Sequence, residues 1–297
     1  MPLVGTADIV GPAAAAGSGV GAFNVIQLEH AEAIVAGAEA AGAPVILQIS
    51  ENAARFHGAL AAIGTAALAV ARAASVPVAV HLDHATSPGL VAEAVALGFT
   101  SVMYDASALP YEENVRVTAD VRGRCHAAGV WVEAELGEVG GKDGVHAPGV
   151  RTDPDEAADF VAATGVDALA VAVGTSHAML TRDAALDFAL ITALRTAVSV
   201  PLVLHGSSGV ADRDLVTAVD HGMTKVNIAT HLTLVFTGAV CQALYENPEL
   251  VDTRHYLGAA RTAMAREVTR LLGVLKGTVG RAERSRTGPG CEGRCRS

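Results

Sequence analysis

Apolar runs with strand character recur along this chain, separated by longer stretches rich in alanine, glutamate, leucine and arginine. The runs fall at 21–25, 44–50, 77–83, 99–105, 130–135, 166–174, 200–206 and 223–228. Their length and β-branched content suit buried strands. The stretches 28–41, 89–97 and 112–128 suit helices, because alanine and straight-chain residues lose little side-chain freedom there. Gly42, Gly98, Gly129, Gly165 and Gly222 each close such a stretch just before a strand, where a helix C-cap is expected. Eight strands alternating with helices predict an α/β fold, a (β/α)₈ barrel forming one domain over 1–282. An open doubly wound sheet is the second arrangement, but no G-x-G-x-x-G follows the first strand. The end, 283–297, has no apolar face and reads as a disordered tail.

In such barrels the reactive residues gather where strands end and βα loops begin. The polar residues closing the eight strands are Asn24, Ser50, Asp83-His84, Asp105, Glu135, Ser176-His177, His205-Gly206-Ser207-Ser208 and Asn227. Three imidazoles at one barrel mouth suit a catalytic zinc with a fourth position open to water or substrate. Each histidine alone reads more readily as a hydrogen-bonded structural residue; their joint placement reverses that weighting. His81 shares strand parity with Asp83 and lies deeper, as an inner-barrel residue or a partner of the ligands. Asp83 reads either as a carboxylate fixing a histidine tautomer or as a general acid/base. Asp105 and Glu135 are solvated strand-end acids or ligands of an alternative or second divalent or monovalent cation. Gly206-Ser207-Ser208-Gly209, ahead of a helix at 212–219, and Asn227-Ile228-Ala229-Thr230 suit phosphate. Glycines permit close backbone approach, serines add donors, and a helix N-terminus attracts an anion.

Composition narrows the alternatives. The 297 residues are 51% hydrophobic with a mean hydropathy of +0.38, and alanine supplies much of it. No run of 18 strongly apolar residues predicts a membrane span, and Met1-Pro2-Leu3-Val4-Gly5 does not resemble a signal peptide. A formal charge of −10 argues against an electrostatic nucleic-acid binder, so an anionic substrate must be held by local donors. Cys125 and Cys241 read as core or half-buried thiols. Cys291 and Cys295, in a Gly/Arg/Ser tail, make a poor zinc signal. The expected compartment is a reducing cytoplasm.

Taken together, these segments resemble the class II, metal-dependent ketose-bisphosphate aldolases, which include fructose- and tagatose-bisphosphate aldolases. The resemblance runs over about 3–281. It is carried in order by Gly21-Ala22-Phe23-Asn24-Val25, His81-Leu82-Asp83-His84, Leu109-Pro110-Tyr111-Glu112-Glu113-Asn114 and Val132-Glu133-Ala134-Glu135-Leu136-Gly137 with Gly140-Gly141. It continues through Gly174-Thr175-Ser176-His177, Leu204-His205-Gly206-Ser207-Ser208-Gly209 and Lys225-Val226-Asn227-Ile228-Ala229-Thr230. It implies a (β/α)₈ barrel, Zn²⁺ on His84, His177 and His205, Asp83 as proton donor, and Asp105 and Glu135 at the alternative metal position. It also implies dihydroxyacetone phosphate held by Gly206, Ser207, Ser208, Asn227, Ile228, Ala229 and Thr230, with Asn24 and Ser50 lining the site, in a homodimer or homotetramer. The implied reaction is reversible cleavage of a ketose bisphosphate, with the cation as Lewis acid. No Schiff-base lysine is required; Lys142 lies in a Gly-rich loop and Lys225 begins strand eight.

Three positions depart from the pattern. Asp143 stands where a glutamate usually acts on the donor's carbon-bound proton, in a stretch that also looks short. Ala178 replaces the glycine after the metal histidine, where a main-chain carbonyl assists donor binding. His231 stands where an acid is common. Alternatives are a tagatose-bisphosphate or deoxy-ketogluconate phosphate aldolase, a non-catalytic sugar-phosphate-binding relative, and a metal-dependent barrel hydrolase, although Asn24 stands where the last would carry a His-x-His pair.

Overall fold

The computed structural model describes residues 2–137, 151–177 and 179–276. Asp143, Ala178, Lys142, Gly140, Gly141, Cys291, Cys295 and the expected tail lie outside the described residues. The order is α1 (Thr6–Ala16), β1 (Val20–Asn24), α2 (Leu28–Ala41), β2 (Val45–Ser50), α3 (Glu51–His57), α4 (Leu60–Ala73), β3 (Val78–Ala85), α5 (Pro88–Leu97), β4 (Ser101–Tyr104) and α6 (Tyr111–Ala127). It continues with β5 (Trp131–Leu136), α7 (Pro154–Thr164), β6 (Ala168–Val171), α8 (Phe188–Ala197), β7 (Leu202–Leu204), α9 (Asp212–His221), β8 (Met223–Ile228), α10 (Thr230–Glu246) and α11 (Thr253–Leu275). The eight strands pair in parallel and in sequence order, and β8 closes on β1 through Val20–Lys225 and Ala22–Asn227. This is the predicted (β/α)₈ barrel. Gly42, Gly98, Gly129, Gly165 and Gly222 all have positive φ at or just after helix ends, as expected.

Strand parity divides the core in two. Phe23, Leu47, Val80, Leu82, Val102, Val132, Leu169, Leu204 and Val226 point outward and pack under the helices. The opposite face fills the barrel in layers. Val20, Ala22, Ile46 and Ala79 meet Ile9 and Val10 of α1, which plugs the N-terminal end. Above them Met103, Ala168, Ala170 and Val203 form a small apolar patch. The rest of the interior is polar: Gln48, His81, Asp83, Ser101, Glu133, Glu135, Lys225 and Asn227 are all buried. An apolar interior would fold at least as well, so this concentration of charge belongs to the site above it.

Several expectations need correcting. The strands at 99–105, 166–174 and 200–206 are shorter than predicted, being Ser101–Tyr104, Ala168–Val171 and Leu202–Leu204. The remaining predicted positions lie in the turns and loops that flank these strands at both ends. Lys225 does not merely begin strand eight; it is fully buried inside the barrel. Cys241 is exposed on α10, whereas Cys125 is buried as expected. Among the described residues no single helix is long and apolar enough to cross a membrane.

Candidate active site

The C-terminal ends of the strands surround a cavity of about 320 Å³, lined by residues that include Asn24, Ser50, Arg55, Asp83, His84, Asp105, His177, Gly206, Ser208, Asn227, Ala229 and Thr230. His205 and Glu135 lie just beneath it, buried. The three histidines converge. Ring centroids are 4.5 Å apart for His84–His205, 5.1 Å for His84–His177 and 5.8 Å for His177–His205. One ligand atom from each lies within 4.8 Å of the others, and His84, Asp105 and Glu135 form a second such group. His177 comes from the loop beyond β6 and not from a strand end.

His84 needs an unusual backbone to reach this site. Successive strand residues face opposite sides, so Asp83 and His84 should diverge. The register between β3 and β4 shifts between Leu82 and Ala85. His84 itself sits at φ +50°, the one positive φ outside glycine among the described residues. Together these turn His84 back over the mouth.

The acids fall into two tiers. Asp105 Oδ2 is 2.9 Å from His84 Nδ1, and Glu135 Oε2 is 3.0 Å from His205 Nδ1. Ser107 joins them, its hydroxyl donating to Asp105 Oδ1 at 2.7 Å and Glu135 Oε1 at 3.3 Å. Neither acid is the solvated strand-end residue that one reading of the sequence allowed: their side chains are 8% and 1% exposed. Below them Glu133, which the sequence reading did not single out, accepts from His205 Nε2 at 3.0 Å. Burial opposes charge on His205, yet the Glu133 and Glu135 carboxylates at its two nitrogens push its pKa up to about 9. His81 is the reverse. Burial first, then Lys225, drive it down to about 3, and its Nδ1 meets Ser101 Oγ at 2.8 Å. Three imidazoles backed by three carboxylates favour positive charge at one point, which is what a divalent cation requires.

Asp83 stands 4.0 Å from His84 Nε2. Asn227 Nδ2 donates to its Oδ1 at 3.4 Å and Asn24 Nδ2 to its Oδ2 at 3.5 Å. Burial opposes ionisation, but His84, His205 and Lys225 outweigh it and hold the pKa at about 2. Asp83 is therefore a carboxylate, ready to accept a proton.

The two phosphate-type segments meet as expected, with changed roles. Ser207 turns its hydroxyl back to the Leu204 carbonyl at 3.0 Å, so its hydroxyl is not offered to the cavity. Ser208 Oγ accepts from Ala229 N at 3.3 Å and His231 N at 3.2 Å, tying the two loops together. Ile228 packs outward among the helices, leaving only its main chain for a ligand. The first turn of α9 carries Asp212 and Asp214, which disfavour an anion. The helix end at the cavity is that of α10, beginning at Thr230. His231 pairs with Glu267 at 2.6 Å. Ser50 caps α3 through Ala53 N at 3.2 Å. Arg55 of α3, also absent from the sequence reading, is the one arginine or lysine among the described residues lining the cavity, where it pairs with Glu51.

Barrel, histidine cluster and carboxylate tier together describe a candidate divalent-cation site at a barrel mouth, and comparison with known proteins gives its class. The chain matches the family model "Fructose-bisphosphate aldolase class-II" over residues 4–280. It is 40% identical to the fructose-bisphosphate aldolase of Geobacillus stearothermophilus over 268 residues, covering 89% of this chain and 93% of that protein. It is 39% identical to that of Staphylococcus epidermidis over 272 residues, 90% and 95% of the two chains. The crystal structure of the YdjI aldolase from Escherichia coli K12 superposes with a TM-score of 0.81 at 34% identity, covering 93% of this chain and 98% of the other. The chain belongs to the class II fructose-bisphosphate aldolase family. It is accordingly a carbon–carbon lyase, metal-dependent, with a phosphorylated sugar as substrate.

Proposed function

We propose that this aldolase is zinc-dependent and reversibly cleaves a ketose 1,6-bisphosphate, foremost fructose 1,6-bisphosphate, to dihydroxyacetone phosphate and an aldehyde phosphate. The observation that carries the reading is the convergence of His84, His177, His205 and an ionised Asp83 on one cavity. In this reading the three histidines hold the zinc, which supplies Lewis acidity at the ketose carbonyl when bound. With Nε2–H of His205 held by Glu133, Nδ1 is the nitrogen left for the cation. Asp105, at His84 Nδ1, orients His84 as Glu133 orients His205, and Asp105 and Glu135 offer an alternative position for that or a second cation.

Asp83 takes the C4 hydroxyl proton during cleavage and returns it during condensation; its depressed pKa keeps it in the form that cleavage needs. Gly206, Ser208 and the main chain of 227–230 cradle the donor phosphate at the α10 N-terminus. Arg55 supports the acceptor-end phosphate, since no other guanidinium or ammonium among the described residues lines the cavity. Removal of the donor's carbon-bound proton is assigned from the sequence to Asp143.

The first test is cleavage of fructose and tagatose 1,6-bisphosphates by protein purified with and without a chelator. Fructose bisphosphate should be cleaved and activity should return with zinc. Preference for tagatose bisphosphate would move the substrate within the same chemistry. Full activity after metal stripping would overturn the zinc assignment. For Asp143, Asp143→Ala should abolish exchange of the dihydroxyacetone phosphate C–H proton with deuterated water at unchanged zinc content.

A further inference from the structure

Below the cavity floor lies a fully buried pair of opposite charges; Glu133 holds His205 Nε2, but the chemistry above gives Lys225 no task. Lys225 of β8 and Glu133 of β5 project into the barrel from strands that are not neighbours, with Nζ 2.8 Å from Oε2. Both side chains are inaccessible to solvent. A buried ion pair is seldom better for stability than apolar packing, and Met103, Ala170 and Val203 supply such packing in this same interior.

The contacts of the pair show what it can do. Lys225 Nζ also donates to Asn227 Oδ1 at 2.9 Å. An ammonium has only donors and an ionised carboxylate only acceptors. Asn227 sits between one of each, with its Oδ1 on Lys225 and its Nδ2 on Asp83. Turning the amide over would set N–H against ammonium and carbonyl against carboxylate. Lys225 therefore selects one orientation of an amide that would otherwise have two. On the other side of Asp83, Asn24 is fixed in the same sense by Gln48, which donates to its Oδ1. Both Asp83 oxygens face amide N–H groups whose orientation is set from behind.

We propose that Lys225 is a positioning residue that fixes the amide of Asn227, and through it Asp83 and the bound donor, with Glu133 as the counter-charge that lets the ammonium be buried. The effect on turnover rests on the assignment of proton transfer to Asp83.

Lys225→Met alone would leave Glu133 buried without its partner, so the test removes both charges, as Lys225→Met with Glu133→Gln. The glutamine keeps an acceptor for His205. The measurements are thermal midpoint, zinc per chain, dihydroxyacetone phosphate affinity by calorimetry, and kcat and KM for ketose bisphosphate cleavage. A folded variant with wild-type zinc content should lose roughly 10–100-fold in kcat, the range for groups that orient others at a metal site. Asn227→Ala should then cost much in the wild-type background and little in the charge-free one, because the two act as a unit. Lys225→Gln with Glu133→Gln, which restores an N–H donor beside Asn227, should recover part of the loss, and it carries the same cycle if the methionine variant does not fold.

Additive losses, wild-type kcat in the charge-free protein, or equal losses for glutamine and methionine would each overturn the proposal. If the wild type cleaves no ketose bisphosphate, the proposed function fails instead. The cycle read in dihydroxyacetone phosphate affinity still decides the link between Lys225 and Asn227.

Discussion

Asp83 and His84 are adjacent in sequence, yet both side chains enter the same cavity, with Asp83 Oδ1 4.0 Å from His84 Nε2. The αL backbone at His84 and the register shift between β3 and β4 make this possible. An L-residue in that conformation costs roughly 1–2 kcal/mol, which glycine avoids. His84→Gly and His84→Ala should therefore lose zinc alike, while the glycine variant is the more stable by about 1 kcal/mol. Urea denaturation of both metal-free variants checks the order; a more stable alanine variant would mean that the backbone relaxes out of αL.

Asp83→Asn preserves shape and removes the proton acceptor. Cleavage should fall by roughly 10²–10⁴-fold, the usual range for a general acid/base, with zinc content unchanged. Parallel metal analysis and steady-state kinetics separate the two effects. Near-normal cleavage would assign the C4 proton elsewhere.

Gly206 has φ +66°, and a Cβ there would lie 2.6 Å from the Ser176 carbonyl oxygen. Gly206→Ala must strain its own backbone and push the loop carrying His177 away from His205. We expect a stability loss of roughly 1–3 kcal/mol, together with weaker binding of both zinc and dihydroxyacetone phosphate. Calorimetric titration of each ligand tests this; intact affinities would show that the loop yields without cost.

Arg55→Ala should raise KM for a bisphosphate by roughly tenfold, since a hydrogen bond to a charged group contributes about 1.5–3 kcal/mol and this one is partly solvated. Dihydroxyacetone phosphate affinity should stay unchanged. If instead that affinity falls, Arg55 serves the donor end.

His30, buried under α10 with its ring edge-on to Phe236 at 4.6 Å, should make stability depend on pH. Burial lowers its pKa from 6.5 to about 4, against a small opposing effect of Glu29. Between those values the unfolded chain binds a proton that the folded chain refuses, so stability falls as pH drops from 6.5 towards 4. The gap of about 2.5 units corresponds to at most about 3 kcal/mol. His30→Leu removes this dependence, although it also removes the acceptor for Ile26 N. The urea midpoint of the wild type should therefore fall relative to that of the variant as pH is lowered from 7 to 4.5; a constant difference would show that His30 does not titrate in this way.

Much of this protein is local and hence legible in the chain. Strand parity, helix-forming stretches and glycines at helix ends act over a few residues, and they sufficed for the barrel. Parity also carried His81 and Asp83 inward together. The same rule applied to Val132-Glu133-Ala134-Glu135 and to Lys225-Val226-Asn227 points Glu133 and Lys225 into the barrel, a signal present in the sequence but obscured because a charged residue in a strand is ordinarily solvated.

Other features were decided only by tertiary structure. The helix α1, with Gly11 and Pro12 inside it, gains its stability from the barrel end it plugs and not from its own propensity. His84 breaks parity through a backbone state that the surrounding strands impose. His177 reaches the cluster from a loop, and the Asp83–Asn227 contact spans 144 residues. Closing β8 on β1 sets those distances, because ring closure fixes which residues from distant parts of the chain share one level of the interior. No local pattern can carry that information.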